Sequence, residues 1–128
     1  MRTTPGSNER EGTLSAIRAV HSLVFFVELA SIGWLVFTGL VGRRDRSVAL
    51  AASLVAVEGV VWIANDRVCP LNPLAERYGA LDGSVSDIWL PDVVARTIPQ
   101  WSIPLVVVGS LLHLRGAWSV AGARTHRR

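Results

Sequence analysis

The stretch that decides the fold is residues 19–41, AVHSLVFFVELASIGWLVFTGLV. A helix needs about 20 mostly apolar residues to cross a bilayer, and this run has that length. One acid, Glu28, interrupts it. A second apolar run covers 48–64 and is interrupted by Glu58. A carboxylate facing hydrocarbon is costly, so each glutamate must be protonated, paired or turned to a polar interior. That makes both of them candidate functional residues.

A third apolar stretch, Ile103 to Leu114, is short and is followed by Arg115. Trp101 and Trp118 flank it, about 25 Å apart along a helix. That separation suits aromatic anchors at two membrane interfaces, with Arg115 snorkelling to the nearer one. A span over 101–118 follows, with Pro104 in its first turn, where proline is tolerated. The expected fold is an all-α integral membrane protein with three transmembrane helices at about 19–41, 48–64 and 101–118. Residues 1–12 are expected to be a disordered polar tail, 65–100 an outer loop holding short and amphipathic helices, and 120–128 a basic tail.

Composition agrees. Of 128 residues, 50% are hydrophobic and only 18% charged, with a mean hydropathy of +0.37. A soluble domain of this length usually carries more charge. All 13 basic residues are arginine, which with the abundant Ala, Val and Gly hints at a GC-rich bacterial source. The arginines flank apolar runs and form no stripe interleaved with aromatics, so nucleic acid is excluded as a partner. The polar start, with Glu9 and Glu11 offsetting Arg2 and Arg10, does not read as a signal peptide.

Three spans put the termini on opposite faces. Arg43, Arg44, Arg46, Arg115, Arg124, Arg127 and Arg128 share one face, close against span ends. The other six arginines lie on the opposite face, mostly farther from the spans. The positive-inside bias then expects the N-terminus outside and the C-terminus in the cytoplasm.

The outer loop opens with Cys69-Pro70-Leu71-Asn72-Pro73-Leu74. Asn72 is a good N-cap and Pro73 suits a first helical position, so a short helix is expected from Pro73 to Tyr78, stopped by Gly79. Beyond Gly83, Ile88, Trp89, Leu90, Val93, Val94 and Ile98 alternate with Asp87, Asp92 and Arg96, which suits an amphipathic segment at the interface. The loop motif resembles the Cys-Pro-Leu-Thr-Pro-Leu-Glu signature of the bacterial inner-membrane family known as domain of unknown function 2784. His21 is similar to a histidine early in that family's first span. Here Asn72 stands for the threonine, and Ala75 stands for the glutamate, which removes a capping box. That family has no assigned activity, so the resemblance implies a small inner-membrane architecture and no reaction.

His21 and Glu28 lie seven residues apart and share a helix face, as do Glu58 and Asn65, with Trp62 beside them. The short turn 42–47 makes the two helices antiparallel neighbours. At 1.5 Å per residue, Glu28 and Glu58 come out at similar mid-membrane depth, with His21 and Asn65 about 10–14 Å above. The spacing thus allows an intramembrane polar site of Glu28, Glu58, His21 and Asn65. Two adjacent carboxylates in low dielectric cannot both ionise, so the pair is expected to share a proton. The simpler role is structural glue between helices; the sharper one is a proton or cation path, with His21 as outer relay.

Other chemistry finds little support. His21 and His113 fall about 15 Å apart in depth, so they cannot ligate one haem, and no cofactor is expected. His113 follows Gly109 and Ser110 on one face, which reads as a close-packed contact surface. His126 carries no signal. Cys69 is the single cysteine, so no intramolecular disulfide or redox pair exists; a buried, inert thiol is the simpler reading. Asp66, Glu76, Asp82, Asp87 and Asp92 make the loop acidic but match no Ca²⁺ loop, and no metal site is expected. No nucleophile–base set or phosphate loop is visible. Two classes of function remain: a non-catalytic assembly or accessory component in the bilayer, as a homo-oligomer or part of a larger complex, and a proton, cation or redox-linked small-molecule site on the glutamates. The small residues Ala49, Ala52, Ser53 and Ala56 support the first.

Overall fold

A computed structural model describes residues 6–79 and 92–125. The described residues are helical, with no strand: α1 (Ser7–Val41), α2 (Arg46–Ala64), α3 (Leu71–Arg77) and α4 (Asp92–Thr125). Three helical stretches are long and apolar enough to cross a membrane: α1, α2 and the Thr97–Thr125 part of α4. The all-helical, three-span expectation holds at that level.

The boundaries differ in both directions. α1 begins at Ser7, inside the tail expected to be disordered, and α4 continues to Thr125, inside the expected basic tail. α4 also starts at Asp92, nine residues before the expected span, so most of the amphipathic segment is not a separate element but the beginning of the third long helix. Pro104 is therefore not in a first turn; it and Pro99 both lie within α4. Each removes an N–H that would have reached the carbonyl four residues earlier. The helix carries on through both. Ile88, Trp89 and Leu90 lie outside the described residues, as do Asp82, Asp87 and His126.

The described residues fall into two compact units: residues 6–27 with 59–79 and 92–98, and residues 28–58 with 99–125. In the first, α3 packs on the start of α1. Ala75 is fully buried with Ile17, and Leu14, Leu71 and Tyr78 close around them. Leu14 and Ile17 are one helical turn apart, and Leu71, Ala75 and Tyr78 share one face of α3 and its cap. This apolar patch explains why the N-terminal part of α1 is ordered as helix. It also shifts α3: Leu71 must be helical to join that face, so the helix starts two residues before the expected Pro73.

Asn72 is consequently not the N-cap. Pro70 holds that position with no side-chain cap, and the Asn72 N–H bonds Cys69 O at 2.9 Å. Its Oδ1 is buried and accepts no hydrogen bond among the described residues. Gly79, at φ +98°, takes the chain out of the helix, its N–H bonding Glu76 O at 3.1 Å. α2 ends differently: Asp66 and Arg67 both adopt positive φ, 56° and 62°, and Arg67 N–H reaches back to Trp62 O at 2.8 Å. That is a Schellman closure made without glycine, at a backbone cost that glycine would avoid.

In the second unit α1 ends at Val41, Gly42 following at φ +71° and Arg43 N–H bonding Thr38 O at 2.9 Å. Asp45 then caps α2: its carboxylate accepts from the Ser47 N–H at 2.9 Å and from the Ser47 hydroxyl. Trp34 Nε1 donates to Ser47 Oγ at 2.9 Å, which ties α2's first turn to α1. Ile32, Leu35 and Thr38 are buried along α1, and Gly39 and Gly109 let α4 approach closely. A Cβ on Gly39 would stand 2.8 Å from Leu112 Cβ, and one on Gly109 would meet Leu35 Cβ at 3.4 Å.

Candidate functional site

Glu28 and Glu58 are both half-buried, on α1 and α2. The geometry that sets their heights is local. α1 and α2 are joined by a four-residue turn, residues 42–45, and Glu28 stands thirteen residues before Val41 while Glu58 stands twelve after Arg46. Nearly equal distances from a tight turn put two residues at similar height on antiparallel helices.

The other two residues of the expected site belong to the first unit. His21 is half-buried on α1. Asn65 is exposed and acts on its own turn, its Nδ2 donating to Val68 O at 2.8 Å. Cys69 is half-buried just before α3. Pro70, Leu71, Asn72 and Pro73 form the start of α3, where their part is to set Ala75 into the patch on α1. Among the described residues no group of His, Cys, Asp and Glu could hold a metal ion.

A polar cluster absent from the sequence-based site lies where α1 meets α4. Thr38 is completely buried, and its hydroxyl donates to Trp34 O at 2.6 Å. His113 Nε2 stands 3.2 Å from Thr38 Oγ1 and 3.1 Å from Leu35 O. A backbone carbonyl only accepts, so Nε2 carries the proton and is shared between the two oxygens. Arg44 closes the cluster from the α1–α2 turn, its Nη2 donating to His113 O at 2.7 Å. Gly116 makes that reach feasible: a Cβ there would stand 2.6 Å from Arg44 Nη2. The signal for the cluster was present in the sequence as two polar residues, Thr38 and His113, inside apolar runs.

Beside the cluster is an open cavity of about 660 Å³, walled by Leu35, Val48, Ala49, Ala52 and Leu114, with Arg44, Asp45, Ser110 and His113 on its border. The two neighbouring arginines differ in state. Arg43 pairs with Asp45 and lies over the Trp34 ring, 5.6 Å from its centroid. The Ser47 hydroxyl and the Arg43 guanidinium hold the Asp45 carboxyl down at about 2, so it is ionised at neutral pH. Arg44 has no carboxylate partner among the described residues. No known family, curated protein or solved structure matches this chain.

Proposed function

We propose that this chain is a small three-span protein of a bacterial inner membrane, with the N-terminus outside, that works without catalysis as an assembly or accessory component. The observation that carries this reading is α2. Of its nineteen residues only Ala51 is buried, and Ala49, Ala52, Ser53 and Ala56 are exposed along the helix. Small residues in apolar helices permit close approach of another helix, which is where dispersion and weak polar contacts drive association in lipid. The partner is a second copy or a larger membrane complex. The loop motif beginning at Cys69, similar to that of domain of unknown function 2784, fits the same architecture.

The experiment is crosslinking of an Ala56→Cys, Cys69→Ala chain in native membranes. A dimer or a defined larger adduct supports the reading; monomer alone sinks it. Labelling native Cys69 with a membrane-impermeant thiol reagent tests the orientation, and modification solely in inverted vesicles would reverse it.

A second reading rests on two acids, Glu28 and Glu58, set inside apolar helices at similar distances from the turn that joins them: a proton or cation site, or a redox-linked small-molecule site. Replacing both glutamates by glutamine should then abolish proton or cation flux in liposomes while assembly persists. If the wild-type protein conducts nothing, this second reading falls.

A further inference from the structure

The open cavity beside the α1–α4 seam combines an apolar wall with Arg44, which is hydrogen-bonded to α4, in its lining. We propose that it binds one anionic phospholipid, phosphate on Arg44 and an acyl chain along Val48, Ala49, Ala52 and Leu114.

The charge argument is specific to Arg44. Arg43, next to it, is matched by Asp45 and by the Trp34 ring. Arg44 has no such match among the described residues, yet it is not loose. It is laid across α4, bonded to His113 O at 2.7 Å, over a glycine whose lack of a side chain leaves the space for its Nη2. One of its N–H groups holds the backbone and the others remain to donate, in the planar fork that fits a phosphate. The Asp45 carboxylate on the same border is engaged by Arg43 and Ser47, so the end of the cavity stays cationic.

The depth argument comes from α2. Arg44 sits in the turn between two long apolar helices, the level at which headgroups lie. Ala52 is six residues into α2 from Arg46, about 9 Å deeper. A cavity that begins at headgroup level and continues along apolar side chains suits an amphiphile better than a free anion, which would leave the wall unfilled, or a second apolar helix, which would leave Arg44 unmatched. The lipid lies against Ala49 and Ala52, on the face of α2 that also carries Ser53 and Ala56, and the assembly contact proposed above falls one turn deeper, at Ala56.

The test uses the full chain in a neutral detergent, with phosphatidylglycerol and phosphatidylcholine of the same acyl chains as probes and native mass spectrometry as readout. The expectation is one tightly retained phosphatidylglycerol per chain, preferred roughly tenfold, or about 1.4 kcal/mol. Arg44→Gln should bring the preference near one and Arg44→Lys should keep part of it. Ala52→Leu should cut retention of both lipids by filling the cavity. Arg115→Gln, which removes a charge next to Leu114 without touching the cavity, should change neither. Glycerol 3-phosphate, which has the headgroup chemistry and no acyl chain, should not compete. The proposal is overturned if Arg44→Gln, shown folded by circular dichroism, keeps the preference. Equal loss on Arg115→Gln would mean general surface charge, and displacement by glycerol 3-phosphate would mean a free-anion site. The same spectra count chains per particle, so failure of the assembly reading shows independently of lipid retention.

Discussion

Within the second unit α1 has two long neighbours, α4 and α2, and they meet it in different ways. Against α4 the small residues at the contact are packed: Gly39 faces Leu112 with no room for a Cβ, Gly109 accommodates Leu35, and Thr38 and His113 join the helices through a part-buried hydrogen bond. α2 carries as many small residues, but a single one, Ala51, is buried, and a Cβ on Gly59 would meet nothing within 4 Å. The comparison teaches that a small residue in an apolar helix has no fixed meaning. Where a partner stands within contact, it is a packing requirement; where none does, it is a surface awaiting a neighbour or lipid.

The strongest way to break the comparison is Gly39→Val. It places a branched side chain where even a bare Cβ would stand 2.8 Å from Leu112 Cβ. Overpacking of this kind costs about 1–3 kcal/mol, and thermal unfolding in detergent should show a loss near the upper end. Gly33→Ala, in the same helix but with open space around it, should be close to neutral. If the two behave alike, the α1–α4 contact is not what this structure describes.

Next in size is the glutamate pair. Glu28→Gln leaves Glu58 a hydrogen-bond partner, and Glu28→Leu leaves it none. Gln should be the more stable in detergent by about 1–2 kcal/mol, the upper range for a polar contact between spans. Leucine equal to or better than glutamine would place the two carboxyl groups on separate surfaces, each facing a partner protein.

Thr38→Val keeps the shape of the seam and removes its hydroxyl. His113 Nε2 retains Leu35 O at 3.1 Å, so the loss should be only about 0.6–1.7 kcal/mol. A loss as large as that of Gly39→Val would mean that the hydrogen bond, and not close packing, holds the helices. Ala56→Leu on α2 should change the stability of the monomer by less than about 0.5 kcal/mol, while the crosslinked species disappears.

The smallest expected effect is at the α2 cap. The Asp45 carboxyl lies at about 2 in the folded protein against an ordinary 3.8. A depressed carboxyl stabilises the folded state above its ordinary value and loses that contribution as pH falls toward the folded one. Fraying of α2's first turn should therefore set in below about pH 4 and be complete near pH 2. The Ser47 amide shift, followed by NMR in micelles, should titrate with the lower midpoint, and Asp45→Ala should abolish that titration.

How legible all this was depends on the element. Length and hydropathy located three apolar helices, because the bilayer imposes one length and one composition on any helix that crosses it. Helical period and the short turn give Glu28 and Glu58 similar heights by residue count alone. The ends of the helices were not legible: hydropathy sees where apolar residues stop, while α1 and α4 continue as helix into polar sequence. The start of α3 was misplaced because cap chemistry at Asn72 yielded to packing of Leu71 and Ala75 on α1.

What the sequence determined by itself is the class of fold, the number of long apolar helices and the turn that makes two of them neighbours. Those follow from local chain properties, namely period, length and turn size. What only the tertiary structure decided is which polar groups meet. Nothing in residues 19–41 says that Thr38 will find His113, seventy-five positions away, or that Arg44 will lie across Gly116. The reason is physical: between apolar helices in lipid no hydrophobic contrast marks the contact face, so pairing is set by close fit and a few hydrogen bonds that appear only once the helices are side by side.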